Sequence, residues 1–323
     1  MTARDVGTRP PVPTSVSEEA QRYLGTEQPF GDAQPPDDLR DVDGWQRYVE
    51  ARDRVLGETL ASRLPRDLPI DRTEVDIDGV HTYVLRPDNV ADDAATPIYL
   101  DIHGGALIMG GGEVCCLMAS SSALGRRMIT WAVDYRMPPK HPYPAGLDDC
   151  VTVYRRVLQE RAPGDIFVGG GSAGGNLAAA LLLRAKDEGL PMPAGLVLLS
   201  PEVDLTESGD TFTTLLGIDH VLRSLMNVNL LYANGHDLSH PYLSPLFGDV
   251  TGFPPTFLHS GTRDLFLSNT VRMHRKLRAA GVEAELHVFE GMPHGGLGGA
   301  PEDIELVREV GRFLERHRRA STD

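Results

Sequence analysis

Residues 165–185 read DIFVGGGSAGGNLAAALLLRA, and the reading of this stretch decides the fold. A short apolar run, DIFVGG at 165–170, ends in glycines, and small residues and leucines follow directly. The pattern predicts a buried strand, a sharp turn, and a helix over 174–188. Ser172 stands at the turn, inside the G-x-S-x-G sequence Gly170-Gly171-Ser172-Ala173-Gly174. Between a strand and a helix, that sequence is the signature of a nucleophile elbow, in which a strained turn exposes a serine hydroxyl at the amino end of a helix. Glycines suit the flanking positions because side chains there would collide with the neighbouring strand and helix. A Gly-rich turn of purely structural use is the plainer alternative, and the flanking elements argue against it.

The same rhythm extends in both directions. Apolar runs PIYLDI (97–102), MITWAV (128–133), GLVLLS (195–200), PTFLHS (255–260) and AELHVF (284–289) alternate with helical stretches such as 269–280 and 301–318. Buried runs alternating with helices predict an α/β fold with a mostly parallel, doubly wound sheet. TEVDI and VHTYVLR, joined by the turn pair Asp78-Gly79, predict an antiparallel hairpin ahead of it. Leu39, Val42, Trp45, Val49, Leu56, Leu60 and Leu64 recur at mostly helical spacing and predict one amphipathic helix closed by Pro65. Residues 1–38, rich in Pro, Gly, Asp and Gln, are expected to form a mobile or loosely draped arm. Residues 39–320 then form a single domain.

The interval 201–250 is too long for a crossover helix alone. Phe212, Leu215, Leu216, Val221, Leu222, Leu225, Met226, Leu230, Leu231 and Tyr232 lie there at roughly helical spacing. An apolar helical insertion after a strand suits a lid, so cap elements are expected from about 1–65 and 201–245.

A serine nucleophile needs a base and a group that orients the base. His294, in EGMPHGG between the last strand and the terminal helix, occupies the loop where such a base is expected. His259 and His287 fall within strands and read as structural, and His141 lies among prolines. Asp264 in HSGTRDLF follows strand PTFLHS and gives the order Ser, Asp, His that this elbow requires. Asp204, in SPEVDLT after another strand end, is its main competitor; Glu202 and Asp249 are more distant ones. His103-Gly104-Gly105-Ala106 closes strand PIYLDI and matches a loop that supplies one side of an oxyanion hole. Backbone N–H groups held there stabilise the negative oxygen of acyl transfer, and losing one typically costs about 2.7–4 kcal/mol of barrier. The candidate donors are Gly104, Gly105 and Ala106, opposed by Ala173.

The formal charge of -15, with acidic residues scattered along the chain, argues against nucleic acid and against stable docking on anionic membranes. No apolar stretch of signal-peptide length opens the sequence, and no run is long enough to span a bilayer. Cys115, Cys116 and Cys150 are too few and odd in number for a disulfide scaffold, and no Cys/His cluster has zinc spacing. A cytoplasmic protein is the default expectation.

Taken in order, HGGA with Gly110, VDYRMPPKHPYPAGLDD (133–149), GGSAGGNLAAA (170–180), SPEVDLT (200–206), GTRDLFLSNT and GMPHGG resemble the hormone-sensitive-lipase-like esterases of bacteria over residues 70–318. The resemblance implies an α/β-hydrolase fold with an eight-stranded sheet, a cap from the N-terminal segment and the insertion after residue 200, and hydrolysis of short- to medium-chain esters. It also implies that no metal or organic cofactor is needed, and it carries a family-level expectation of a homodimer. Trp45, Leu107, Phe212 and Leu215 are expected to shape an acyl pocket. Two departures stand out: Gly171 replaces a residue that is usually acidic or threonine, and Ala106 replaces a third loop glycine. Lactone hydrolysis by the same triad remains an alternative, as does a ligand-binding module that has lost turnover.

Overall fold

The computed structural model describes residues 10–26, 34–65, 67–93 and 96–318. The strands are β1 (Ile70–Ile77), β2 (Val80–Pro87), β3 (Ile98–Ile102), β4 (Ile129–Val133), β5 (Ile166–Gly171), β6 (Gly195–Leu199), β7 (Thr256–Gly261) and β8 (Ala284–Phe289). The helices are α1 (Glu18–Gly25), α2 (Val42–Arg63), α3 (Glu113–Arg126), α4 (Ala145–Glu160), α5 (Ala173–Asp187), α6 (Thr211–Thr214), α7 (Met226–Ala233), α8 (Leu267–Ala279) and α9 (Pro301–His317). All eight strands join one sheet in the order β1-β2-β4-β3-β5-β6-β7-β8. β2 pairs antiparallel with both β1 and β4, and every other pairing is parallel.

Side-chain alternation divides the core into layers. Ile98, Leu100 and Ile102 of β3, Ile166 and Val168 of β5, and Leu196 and Leu198 of β6 point into one large core with α4, α5 and α8. The intervening Tyr99, Phe167 and Val197 point the other way, toward Phe313 of α9. On that second face α3 packs Cys115, Cys116 and Ala119 against Tyr83, Leu85 and Ala132. Strands buried on both faces must be apolar throughout, so these runs read as continuous rather than alternating. Each Leu or Val so buried contributes about 1.5–3 kcal/mol.

Two segments differ from expectation. Part of the arm expected over residues 1–38 lies outside the described residues, at 1–9 and 27–33. Of the described part, α1 is packed rather than loosely draped. Val16, Ala20 and Leu24 bury against Met292, Leu297 and Ala300. Ser17 caps α1 by accepting from Ala20 N, and its own N–H and hydroxyl donate to Glu302 at 2.7 and 2.8 Å. The insertion is α-helical only over α6 and α7, a 3-10 turn spans Pro245–Phe247, and turns and loops make up the rest. Its apolar residues are spaced by the surfaces they meet. Phe212, Leu215, Val221 and Leu222 pack with Leu265 and Phe266, whereas Val228 and Leu231 pack with Trp45, Ile108 and Met109.

Candidate active site

Ser172 sits at the junction of β5 and α5 with φ 56° and ψ -123°. A non-glycine residue held there stores on the order of 1–3 kcal/mol of backbone strain, and such strain persists only where neighbours impose it. They do so here through four hydrogen bonds. Ser172 N donates to Leu199 O at 2.9 Å, and Ser172 O accepts from the N–H groups of Gly175, Asn176 and Glu202 at 3.0, 3.2 and 3.2 Å. The helix can start this close to β3 only because Gly174 lacks a side chain: a Cβ there would lie 1.9 Å from Ile102 O. Gly171, by contrast, is not sterically required, because a Cβ would meet Leu199 O at 3.6 Å, ordinary contact.

The HGGA loop lies directly beside this turn. A Cβ on Gly104 would stand 3.4 Å from Ser172 Cβ and 3.0 Å from Gly171 O. Gly105 O accepts from the N–H groups of Ile108 and Met109, which folds the loop back on itself. His103 is buried, with its ring stacked on Tyr135 at 4.1 Å, and Tyr135 donates its hydroxyl to His103 O. Its Nδ1 lies 2.8 Å from Gly104 O, so Nδ1 carries the proton. Burial holds its pKa below the ordinary histidine value, which keeps it neutral and structural. From the cap side, Asp53 of α2 accepts from Gly110 N at 2.7 Å, pinning the loop to that helix. Arg136 clamps Asp149 through both its backbone N–H and its guanidinium, which accounts for two polar residues of the 133–149 motif.

His294 and Asp264 meet 30 residues apart in sequence. Asp264 Oδ1 lies 3.2 Å from His294 Nδ1, and the carboxylate also accepts from Ser260 Oγ at 2.7 Å and Phe266 N at 2.9 Å. Burial opposes ionisation of Asp264, but His294 and these donors outweigh it and hold the pKa at about 2. For His294, burial disfavours the imidazolium, yet Asp264, then Asp219, more than compensate and raise its pKa. The edge of the imidazole also meets the Phe266 ring, at 4.9 Å between centroids. Asp204, the competing acid, is engaged elsewhere. It accepts from Thr206, Ser208 and Arg272, which together hold its pKa down against the cost of burial.

The four expected pocket residues separate into three places. Trp45 is fully buried between the HGGA loop and α7, and its indole N–H donates to Asp38 O. Ala106 packs against the same cluster, with φ 51°. Leu107 is fully buried in the main core, so it stands behind the loop rather than on an open wall. Phe212 and Leu215 pack beside Phe266, one ring away from His294.

Two carboxyl groups here, Asp219 and Asp53, escape the sequence reading, and a third, Glu202, enters it only as a distant competitor of Asp264. Asp219, from the insertion, accepts from Val221 N and Leu265 N, which ties the insertion to the residue after Asp264. Asp53 and Asp219 carry no local motif, because each acts on a residue distant in sequence.

Relatives bear on the same region. The α/β-hydrolase fold family matches residues 99–297. An esterase of Acinetobacter venetianus is 34% identical over 210 residues, covering 62% of this chain and 68% of that protein. Carboxylesterase NlhH of Mycobacterium tuberculosis is 31% identical over 84% of this chain and 88% of its own. The crystal structure of an esterase E25 superposes with a TM-score of 0.88 at 35% identity, covering 99% of this chain and 100% of that one. An esterase from the bacterial hormone-sensitive lipase family gives 0.82 at 29% identity, covering 94% and 99%. Among the described residues no helix is long and apolar enough to cross a membrane.

Proposed function

The chain belongs to the α/β-hydrolase family, in its hormone-sensitive-lipase-like esterase branch, and on that premise we propose that it hydrolyses short- to medium-chain carboxylic esters through an acyl-enzyme on Ser172. Carboxylic ester hydrolysis is the activity common to its named relatives.

In the proposed reaction Ser172 Oγ attacks the ester carbonyl carbon while His294 takes the hydroxyl proton. Asp264 keeps the proton of His294 on Nδ1, which leaves Nε2 free as the base, and it stabilises the imidazolium that forms. The carbonyl oxygen becomes an oxyanion facing N–H groups of Gly104, Gly105, Ala106 and Ala173. No protein acceptor is assigned to these N–H groups among the described residues. Collapse breaks the bond to the alcohol, which leaves with the proton from His294. Water then attacks the acyl-enzyme with the same base, releasing the acid and restoring Ser172. No step calls for a metal or organic cofactor.

One observation carries the reading. A strained, half-buried serine at a strand-to-helix turn lies against a glycine loop, in a fold that also buries a His294–Asp264 pair at 3.2 Å. Treatment with a fluorophosphonate followed by peptide mass spectrometry tests it, alongside an ester and lactone panel with Ser172→Ala as control. The expected result is a single adduct on Ser172 and loss of turnover in Ser172→Ala. Labelling elsewhere with Ser172 unmodified would overturn the assignment.

A further inference from the structure

Glu202 is fully buried, three residues beyond the end of β6. Its backbone is clamped to both sides of the serine turn. Its N–H donates to Ser172 O at 3.2 Å, and its carbonyl accepts from the Asn176 carboxamide at 2.7 Å. The side chain is therefore held beside the elbow, between α5 and the insertion helix α7, where Asn229 is its neighbour. Neither carboxyl oxygen of Glu202 meets a donor among the described residues, and neither does Asn229 Oδ1. One N–H of the Asn229 carboxamide goes to Leu205 O at 3.1 Å, and only its second N–H remains on the Glu202 side.

Three buried acceptor oxygens that share at most the second N–H of Asn229 carry a desolvation cost, which a proton on Glu202 relieves. The O–H of a protonated Glu202 can donate to Asn229 Oδ1. We propose that Glu202 is a positioning residue that works as a neutral acid, bridging the Ser172 turn to α7 through Asn229, and that its ionisation weakens catalysis. The inference rests on the ester-hydrolase reading above.

The surroundings agree in sign. Burial comes first among the causes that push the Glu202 pKa up to about 8, and Glu207 and Asp204 on its own loop add to it. Asn229 of α7 and His294 of the loop after β8 act the other way. Arg272 of α8 is engaged by Asp204, and Glu207 accepts from Ser224 Oγ and Leu225 N. Apart from His294, no cationic side chain among these neighbours is left to pair with Glu202. Ionisation would place a negative charge beside the serine on which an oxyanion must develop, opposing the transition state. It would also break the bridge to Asn229.

Infrared difference spectra and pH–rate profiles test this together. A protonated-carboxyl stretch present in the wild type at neutral pH, absent from Glu202→Gln, and titrating away near pH 8 is expected. Glu202→Ala should lose about tenfold or more in kcat, and Glu202→Gln, still able to donate to Asn229, should recover most of it. The alkaline decline of kcat/KM seen in the wild type should be absent from Glu202→Gln. An unchanged infrared spectrum in Glu202→Gln, or the same alkaline decline in it, would overturn the proposal. Should Glu202→Gln fail to fold, the wild-type band must still titrate near 8 and shift in Asn229→Ala; a band that does neither also refutes it. Failure of the ester-hydrolase reading looks different: no substrate is turned over at any pH, while the carboxyl band remains readable.

Discussion

Replacing Asp264 with Asn, and separately Asp204 with Asn, discriminates between the two acids that compete in the sequence. At Asp264 the change swaps one carboxylate oxygen for an NH2 group in a pocket whose neighbours are the Ser260 hydroxyl, Phe266 N and His294 Nδ1. Ser260 can turn round to accept, and His294 can accept only by moving its proton from Nδ1 to Nε2, so the NH2 group faces Ser260 or forces the tautomer in which Nε2 is no longer a base. In either case the charge that stabilises the imidazolium is gone, and loss of the triad acid costs about four orders of magnitude in kcat, roughly 5 kcal/mol of barrier. The stability effect is smaller. Holding the Asp264 pKa at about 2 instead of the ordinary 3.8 corresponds to roughly 2 kcal/mol at neutral pH, since each unit is worth about 1.4. That contribution is fully present above the unfolded-state pKa and disappears as pH falls through about 2. At Asp204 the balance reverses. Its partner Arg272 is 36% exposed, so solvent screens much of the ion pair, and about 1–2 kcal/mol of stability is at stake. Nothing there touches His294, so kcat per folded molecule should stay within about threefold. The assay is initial-rate hydrolysis of p-nitrophenyl acetate, normalised to the folded fraction from urea titration. A folded Asp264→Asn variant with near wild-type kcat, or an Asp204→Asn variant that folds and is dead, would refute the assignment of the acid.

Other expectations follow from the same geometry. Because His294 must be neutral to act as base and its pKa is raised, the acid limb of kcat/KM should lie above the ordinary histidine value of 6.5. Asp219→Asn should shift that limb toward lower pH, and an unmoved limb would remove Asp219 from the electrostatics of the base. Ala106 holds φ 51°, so Ala106→Gly should relieve about 1 kcal/mol of strain and raise Tm by about 2 °C in calorimetry; a lower Tm contradicts this. Asp53→Ala should cut kcat about tenfold by freeing the HGGA loop from α2, while Asp53→Asn, which keeps an acceptor for Gly110 N, recovers most of it. Leu24→Ala should cost about 2–3 kcal/mol in urea denaturation and speed amide exchange selectively in residues 291–299, whose Met292 and Leu297 pack against Leu24.

What the sequence discloses and what it withholds divide along a physical line. The strands β3 to β8 are visible to within a residue because their apolar runs are short and bounded, nearly continuous where both faces are buried, as in IFV of β5 and LVLL of β6. The elbow is visible because Gly174 and Ser172 answer to steric demands a few residues away. Where an element answers to distant surfaces, local pattern misleads. Residues 212–232 carry apolar side chains at helical intervals, yet Phe212, Leu215, Val221 and Leu222 face Phe266, Leu231 faces Trp45 and Tyr232 enters the main core, and one helix cannot present the same stripe to all three. The chain breaks between α6 and α7, and Gly217 adopts φ 81° in the break. The opposite error occurs at α1. Val16, Ala20 and Leu24 recur every four residues behind the capping Ser17, a helix signal obscured by the surrounding Pro, Gly and Gln. Long-range polar contacts leave no trace in local pattern. Asp53 acts on Gly110, and Asp219 acts on Leu265. Both bind the cap elements to the loops that carry the chemistry, so the parts of this fold least legible in sequence are those that couple cap to site. Substrate preference should therefore be set there, in contacts that join residues far apart in sequence to the loops around Ser172 and His294.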